Sequence, residues 1–435
     1  MKYTRVRASG NHIAGQYKSH NSIVDLTLSD LYWLVLLNLS LFGNAIQGRT
    51  GFTYIDETVT LLLLAGAVFC SLRRKRAFSE GIRQLANWAI ACLAALAFVG
   101  LLGNIVYGYQ VQFAPIAIDM FTCLKFPIAL LSSILVFRQR KQLFLAAETE
   151  AKILSAIVFI FGCINIFADI GMSYEIRYGL RSYKFIFDHP TYLVFFNVGL
   201  ISLLLVDWKE NVFWICLDLL ATALSLRSKG FGYVAIVAIS LVIMRNKQKL
   251  TPAKIAAICG IGIAIGWNQF FFYFNTPGYA RGELTSTAIL IARQSFPLGG
   301  GFATFGSAVT ADPNYYSPLY YLYGLANIWG LEPDNILFIS DTFWPVVLGE
   351  FGFLGLGLYV SALGLLMLIC YRIGPTVRIA TLTAFGYLLI SSTSESAFFN
   401  PQAICLAMCL GLMLFNGQGD VVARRGNPEK DAADE

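Results

Sequence analysis

Long apolar stretches recur along almost the whole chain, and they constrain its fold more than any other feature of the sequence. Of 435 residues, 57% are hydrophobic and 13% are charged, and the mean hydropathy is +0.62. Soluble domains are about a quarter charged, so one water-exposed protein core cannot hide this much apolar surface. An apolar stretch of roughly 17 to 25 residues crosses a bilayer as a helix, because lipid offers no partner to an unpaired backbone group. The sequence therefore predicts an all-α, polytopic transmembrane helical bundle.

The connections between the apolar stretches set the domain organisation. We predict a cytoplasmic tail over 1–28, a transmembrane domain over 29–416 and a second cytoplasmic tail over 417–435. The residues before Leu31 are polar and basic, unlike a cleavable signal peptide, so the first span would be a permanent anchor. The transmembrane domain would contain about twelve spans. They are predicted at 29–47, 53–72, 86–106, 113–137, 151–171, 190–206, 212–227, 231–244, 254–274, 342–370, 379–394 and 401–416.

Lysine and arginine residues fall mostly on one side of the predicted membrane. Basic runs at 73–76, 138–141 and 245–249 lie on the same side as both tails. Cytoplasmic connections retain positive charge, so this side is predicted to be the cytoplasm. The net charge of +6 is then explained by the positive-inside bias, and it does not indicate a nucleic acid partner.

Two segments on the opposite, outer side are much longer than most of the other connections. They cover 172–189 and 275–341, and we expect the second to be partly helical. Loops of this length are usually functional. The second segment also contains many tyrosines and Trp329, either as a binding surface or as an aromatic belt at the membrane interface.

Six basic residues stand out because the outer side is otherwise poor in positive charge. They are Arg177, Arg181, Arg227, Lys229, Arg281 and Arg293. Arginine offers a planar fork of donors that matches phosphate oxygens, so these residues are candidate ligands of a phosphate group. The alternative is that they pair with outer acids such as Glu175, Asp188 or Glu283 and only order the loops.

The spacing of the outer arginines suggests how they would be used. Arg177 and Arg181 would share one face of a helix and could hold one diphosphate, although Gly179 between them weakens helix formation. Arg281 and Arg293 bracket an apolar stretch; on a helix their backbones would be roughly 18 Å apart. They would then serve different ends of a site.

Three further outer features are candidates for substrate binding. Arg227 and Lys229 fall at the tip of a short apolar hairpin, near the depth of a lipid head group. Gly300 is the centre of a glycine run, 299–301, that could present backbone N–H groups to an anion or could simply form a turn. His189 is the only histidine outside the amino-terminal tail; it is a candidate base, with capping of the next helix as the alternative.

Acidic residues supply the candidate general bases for an acceptor hydroxyl. Those on or near the outer face are Asp188, Glu283, Asp312, Glu332, Asp334, Asp341 and Glu395. Four ionisable residues, Asp119, Lys125, Asp218 and Glu350, fall within predicted spans, where they are either functional or paired. The cysteines lie in or beside apolar runs, and no DxD, HExxH or CxxC motif is present, so we expect no metal, no disulfide and no cofactor.

Several segments resemble the O-antigen ligase and polymerase superfamily of bacterial membrane proteins, which includes Wzy-type polysaccharide polymerases. The similar segments are FDHPTYL (187–193), SLRSKG (225–230), RQSFPLGGGFATFG (293–306), SDTFWPVVLGEFGFLGLGLY (340–359) and ESAFFNP (395–401). The resemblance implies a metal-independent, inverting glycosyl transfer from an undecaprenyl diphosphate donor on the periplasmic face of the bacterial inner membrane. Partners implied are the undecaprenyl-diphosphate-linked oligosaccharide, the lipid bilayer, and the chain-length regulator and flippase of the same pathway.

The resemblance also suggests roles for particular residues. Arg281 aligns with the loop arginine that binds the diphosphate, and Arg227 with the arginine of an SR-type turn. The ligases have a histidine nine residues before a glutamate, and Asp341 takes that place before Glu350 here. This departure favours a polymerase, with Arg281 and Asp341 as catalytic residues. An O-antigen ligase is the alternative within the superfamily. A transporter that uses Asp119, Lys125 and Asp218 is the alternative outside it.

Overall fold

A computed structural model of the chain describes residues 26–73, 78–245, 278–374 and 377–415. Within these residues the protein is mostly helical, with a single two-stranded sheet, which confirms the all-α class. The α-helices are α1 Leu28–Leu41, α2 Gly43–Thr50, α3 Ile55–Arg73, α4 Glu80–Tyr107, α5 Phe113–Val136, α6 Lys141–Phe167, α7 Pro190–Leu204, α8 Trp208–Leu224, α9 Ser228–Arg245, α10 Ala280–Gln294, α11 Pro318–Leu322, α12 Trp344–Ile373, α13 Arg378–Ser391 and α14 Pro401–Met413. The strands are β1 Ser173–Arg177 and β2 Leu180–Tyr183.

Six of these helices, α3, α4, α5, α6, α9 and α12, are long and apolar enough to cross a membrane. Helices α1 and α2 pass the same test together but are bent by 66° at Phe42, so the segment predicted as one span, 29–47, is broken into two helices. Helices α7, α13 and α14 are shorter apolar helices. This composition fits a multi-pass membrane protein, while the predicted number of spans stays a prediction. The predicted span 254–274 lies outside the described residues.

The bundle has an inner and an outer layer of helices. Helices α7 and α14 are buried along almost their whole length and pack against each other and the surrounding helices. Close approach depends on small residues: a Cβ added at Gly411 of α14 would lie 2.4 Å from Cβ of Ser133 in α5. Helix α4, by contrast, exposes large apolar side chains such as Phe98 and Ile105, as expected of a surface in contact with lipid.

The segment 172–189 contains a β-hairpin in place of the helix suggested for Arg177 and Arg181. Tyr178 and Gly179 form its two-residue turn, and both have positive φ (52° and 78°), as tight hairpins require. Arg177 is opposite Leu180, and Ile176 is opposite Arg181. Adjacent residues of a strand point to opposite faces, so Arg177 and Arg181 lie on different faces of the hairpin. The prediction that they grip one diphosphate from a shared helical face is therefore wrong.

The segment 278–343 folds as a small unit with its own core, and α10 confirms that this long loop is partly helical. Leu284, Ala288 and Ile291 form the buried stripe of α10 at helical spacing. Helix α10 packs on α12. Helix α12 is interrupted at Gly352 (φ 64°), where an added Cβ would lie 2.2 Å from the carbonyl oxygen of Leu298. A side chain at this position would therefore prevent the backbone at Leu298 from packing against α12.

Candidate functional site

Charged side chains from separate parts of the chain meet beside the hairpin and the start of α10. We call them the charged cluster, defined as Arg177, Arg227, Lys229, Arg281, Glu175, Asp341 and Glu395. They come from β1, the α8–α9 turn, the first turns of α9 and α10, and the segments that precede α12 and α14. Two ion-paired branches make up this cluster.

The first branch is centred on Glu175. Its Oε1 accepts from Nε of Arg177 at 2.7 Å and lies 2.9 Å from Nη2 of Arg227. The guanidinium of Arg227 also lies over the ring of Tyr174, 5.4 Å from its centroid. One carboxylate therefore holds two arginines from distant parts of the chain, as the pairing alternative for the outer arginines expects.

The second branch holds two ion pairs. Nη2 of Arg281 donates to Oδ2 of Asp341 at 2.9 Å, and Nζ of Lys229 lies 2.6 Å from Oε1 of Glu395. Burial raises the pKa of the Asp341 carboxyl above its usual value, although the neighbouring Arg281 and Lys229 act in the opposite direction. Glu395 adds to the rise, so the two pairs are close enough to interact.

His189 joins the branches as the N-cap of α7. Its Nδ1 accepts the backbone N–H of Thr191 at 3.2 Å, and its ring packs edge-on against Tyr174 at 4.8 Å. Burial, followed by the charges of Arg227, Lys229 and Arg177, lowers the pKa of His189 to about 3. The alternative role as a helix cap is confirmed. A ring with this pKa is a poor base at neutral pH and presents Nε2–H as a donor.

Hydrogen bonds from one serine side chain to two backbone carbonyls fix the relative positions of Asp341 and Glu395. Oγ of Ser396 donates to the carbonyls of Ser340 and Thr342, at 2.7 and 2.9 Å. The residues on either side of Asp341 are thus tied to the neighbour of Glu395. This convergence joins segments more than 50 residues apart, so spacing in the sequence could not reveal it.

Two predicted ligands lie away from the charged cluster. Arg181 is exposed on the far face of the hairpin. Arg293 is exposed in the last turn of α10, so the helix places its backbone roughly 18 Å from that of Arg281. Arg293 thus lies outside the charged cluster, and the expectation that Arg281 and Arg293 serve different ends of a site stays a prediction.

The glycine run 299–301 packs between helices and takes no part in the charged cluster. The N–H of Gly300 donates to the carbonyl of Gly349 at 2.8 Å, and that of Gly301 to the carbonyl of Glu350 at 2.9 Å. A Cβ on Gly301, whose φ is +95°, would lie 2.4 Å from the backbone nitrogen of Asn104. The geometry gives this run a packing role in place of the predicted anion cradle at Gly300.

Buried carboxyl groups anchor the loop that follows the glycine run. Asp119 accepts from the N–H of Ala303 at 2.7 Å and from Oγ of Ser307 at 2.5 Å, while Glu350 accepts from the N–H groups of residues 304 and 305. Asp119, Glu350 and Cys123 also place one potential metal-ligand atom each within 4.8 Å of one another. No pattern in the sequence indicates that Asp119 of α5 and Glu350 of α12 come together. The expected absence of a metal stays a prediction.

The other ionisable residues of the predicted spans are paired inside the bundle. Nζ of Lys125 contacts the carboxylates of Asp56 and Glu57, the latter at 3.2 Å. Asp218 accepts from Oγ of Ser155 at 2.8 Å. The paired interpretation therefore holds for Lys125, whereas the side-chain contact of Asp218 is with a neutral hydroxyl.

A cavity of about 370 Å³ opens next to the ion pair of the second branch. Arg281 and Asp341 form its polar wall, and Tyr279, Trp329 and Phe338 form its aromatic wall. A pocket with a few polar groups on an apolar wall is the usual form of a small-molecule site.

No protein-family model, curated protein or solved structure matches this chain. The chemistry of the site therefore rests on its own geometry. Four cations face three carboxylates, half-buried, beside a neutral imidazole and an aromatic pocket. Guanidinium groups bind phosphate oxygens strongly, and a carboxylate of raised pKa can accept a proton.

Proposed function

We propose that the protein is a bacterial polysaccharide polymerase, a glycosyltransferase that acts on undecaprenyl-diphosphate-linked glycans. The observation that carries the proposal is the convergence of Arg227, Lys229 and Arg281 with Asp341 beside a pocket. The product would be the polymer of an O-antigen, a capsule or an exopolysaccharide. The resemblance to the O-antigen ligase and polymerase superfamily supports the same reaction class.

The reaction moves a growing glycan from one lipid diphosphate to the hydroxyl of a second lipid-linked repeat. The acceptor oxygen attacks the anomeric carbon and inverts it, and the bond from that carbon to the diphosphate oxygen breaks. Undecaprenyl diphosphate leaves with the bonding electron pair, and Asp341 takes the hydroxyl proton. Fixed cations beside the leaving group stabilise the charge that develops there, and at a water-poor boundary they do so more strongly than in bulk water.

The resting ion pairs suit this chemistry. A guanidinium carries five N–H donors in a fixed plane, so Arg281 can contact a carboxylate and a phosphate at once. A phosphate that competes for Arg281 weakens its hold on Asp341, and the pKa of this carboxyl then rises further. Asp341 would become a stronger base when the donor is in place.

The proposed setting is the inner membrane, with the charged cluster facing the periplasm and both tails in the cytoplasm. The asymmetric distribution of lysine and arginine supports this orientation. About twelve spans follow if α1 with α2 as one span, α3 to α9, α12 to α14 and the segment 254–274 all cross the bilayer. A chain-length regulator and a flippase of the same pathway would be its partners.

The test is alanine substitution of Arg281 in cells that make the polymer. We expect loss of polymer and accumulation of lipid-linked single units, because the leaving diphosphate loses a charge partner; one such donor is typically worth about 10²–10³ in rate. Arg293→Ala is the matched control, since Arg293 is on the same helix but away from the charged cluster. Polymer of unchanged length in the Arg281→Ala strain would refute the proposal.

Two alternatives give different outcomes in related experiments. A ligase would leave long lipid-linked chains, in place of single units, in a strain without the protein. A transporter would move lipid-linked substrate across liposomes but would transfer no glycan in detergent. The ion pair of Lys125 with Asp56 within the bundle gives no support to the transporter.

A further inference from the structure

The pocket beside the charged cluster has an aromatic wall that the transfer reaction does not itself require. Trp329 lies in the segment 278–343, and 63% of its surface is exposed although its ring borders the cavity. An exposed tryptophan gives up the roughly 1.5–3 kcal/mol that burial of a large apolar side chain yields. A side chain held in this way is suited to cover an apolar ligand surface.

A rigid frame holds Trp329 in place. Its ring packs edge-to-face against Phe338, with the centroids 5.3 Å apart. The N–H of Phe338 donates to the carbonyl of Gly330 at 2.9 Å, and the hydroxyl of Tyr316 donates to the carbonyl of Leu331 at 2.6 Å. Gly330 has φ +82°, and a Cβ there would lie 2.2 Å from the Phe338 ring, so the close contact of the two aromatic rings needs this glycine.

This arrangement differs from an aromatic belt at a membrane interface. Belt residues lie at the ends of spanning helices, with their rings among lipid head groups. Trp329 instead belongs to an irregular segment with its own small core, and it faces a cavity whose polar wall is Arg281 and Asp341.

The pocket chemistry indicates the class of ligand. Arg281 and Asp341 neutralise each other at 2.9 Å, so the polar wall offers donors and an acceptor without net charge. A pyranose ring has an apolar face of C–H groups and an edge of hydroxyls, which matches an aromatic wall beside a donor–acceptor pair. The cavity volume of about 370 Å³ is near the lower end of the range of small-molecule pockets and suits one or two such rings.

We propose that this pocket is the acceptor subsite, in which an uncharged pyranose ring stacks on Trp329 and presents a hydroxyl to Asp341. The inference rests on the proposed glycosyl transfer, and it adds the position and chemical class of the acceptor. Trp329 and Phe338 are then specificity-determining residues. They bind the sugar that receives the chain, while the cations of the charged cluster bind the diphosphate.

The test measures binding without turnover. The probe is the repeat-unit oligosaccharide released by mild acid from lipid-linked single units, which carries no lipid and no diphosphate. Saturation-transfer NMR and calorimetry report its binding to the full chain in detergent. We expect binding to wild-type protein, a loss of roughly tenfold or more in affinity with Trp329→Ala, and substantial recovery with Trp329→Phe.

Two further variants keep the result interpretable. Trp329→Leu retains apolar bulk without an aromatic face and should also weaken binding, even if the alanine variant folds poorly. Trp88→Ala is the matched control, because Trp88 is 59% exposed on α4 and should leave affinity unchanged.

The outcomes separate this inference from the proposed function. Wild-type affinity in both Trp329→Ala and Trp329→Leu, or no binding of the oligosaccharide by wild-type protein, would overturn the acceptor subsite. The polymerase proposal would still stand if Arg281→Ala abolished polymer in cells. Normal polymer in the Arg281→Ala strain would instead refute the transfer reaction itself.

Discussion

Asp341→Asn tests whether this carboxyl is a base or only a partner of Arg281. The change keeps the shape of the side chain and removes both its charge and its ability to take a proton. A missing general base lowers the rate by about 10²–10⁴, equivalent to roughly 3–5 kcal/mol of activation free energy. The ion pair itself is partly solvated, with the side chains of Arg281 and Asp341 exposed by 21% and 33%. Such a pair contributes no more than about 1 kcal/mol to folding.

The pKa of Asp341 sharpens the expectation for stability. Burial raises this pKa in the folded protein more than Arg281 lowers it. A carboxyl whose pKa is higher in the folded than in the unfolded state favours folding below its unfolded pKa, and this contribution is lost as pH rises through the folded pKa. At neutral pH the charge therefore opposes folding. We expect Asp341→Asn to leave the midpoint of thermal unfolding within a few degrees of wild type, or to raise it.

The assay is transfer between lipid-linked glycans by purified protein in detergent, with rate and thermal unfolding measured on the same preparations. The wild-type rate should fall as pH falls, because protonated Asp341 cannot accept the acceptor's proton. Asp334→Asn is the control, since Asp334 is an exposed acid of the same loop. An Asp341→Asn variant with a wild-type rate, or one that loses rate only in proportion to unfolding, would refute the assignment of Asp341 as base.

Two other substitutions test the frame around the site. Gly301→Ala should lower the free energy of unfolding by about 1–3 kcal/mol, because the new Cβ would lie 2.4 Å from the backbone nitrogen of Asn104 and φ is +95°. Gly386→Ala is the control, because the space around Gly386 is open. Equal unfolding midpoints for the two variants would contradict the packing role of the glycine run. His189→Asn keeps an N-cap residue and removes a ring whose pKa is lowered to about 3, so wild-type protein should lose stability between about pH 6.5 and pH 3 and the variant should lose less. Denaturation midpoints across that pH range measure the difference, and parallel curves would exclude His189 as the titrating group.

The sequence predicted most helices because hydrophobic stretches of membrane length have few alternative structures. It failed where backbone conformation is set by one or two residues. The bend at Phe42 interrupts an apolar segment that reads as continuous, and the turn at Tyr178 and Gly179 converts an apparent helical spacing of arginines into a hairpin. In both places the backbone conformation of one or two residues determines the structure, and the hydrophobic pattern or the helical spacing of the side chains does not.

In the candidate site, too, individual residues could be identified from the sequence, but some of their contacts with distant segments could not. Arg227, Lys229 and Arg281 could be picked out by their positive charge on a side predicted to be poor in basic residues, and Asp341 by the resemblance. Glu175 is among the acids expected to pair with the outer arginines, and it contacts Arg177 and Arg227. The pairing of Lys229 with Glu395 joins segments more than 160 residues apart, so it could not be read from the sequence. The role of the glycine run likewise depends on how closely α4 and α12 approach it, which no spacing within the run encodes.

The ion pairs of the charged cluster explain how several half-buried cations can lie close together. A half-buried cation without a partner would lose much of its hydration, so each of the four contacts a carboxylate: Glu175 serves two, and Asp341 and Glu395 serve one each. Under the proposed function, a diphosphate that binds here would exchange one anionic partner of the cations for another and would require little new desolvation. It would also leave displaced carboxylates beside the reacting groups, where Asp341 is next to the aromatic pocket. Under the proposed function, the acid that neutralises Arg281 at rest would act as the base once the donor has displaced it.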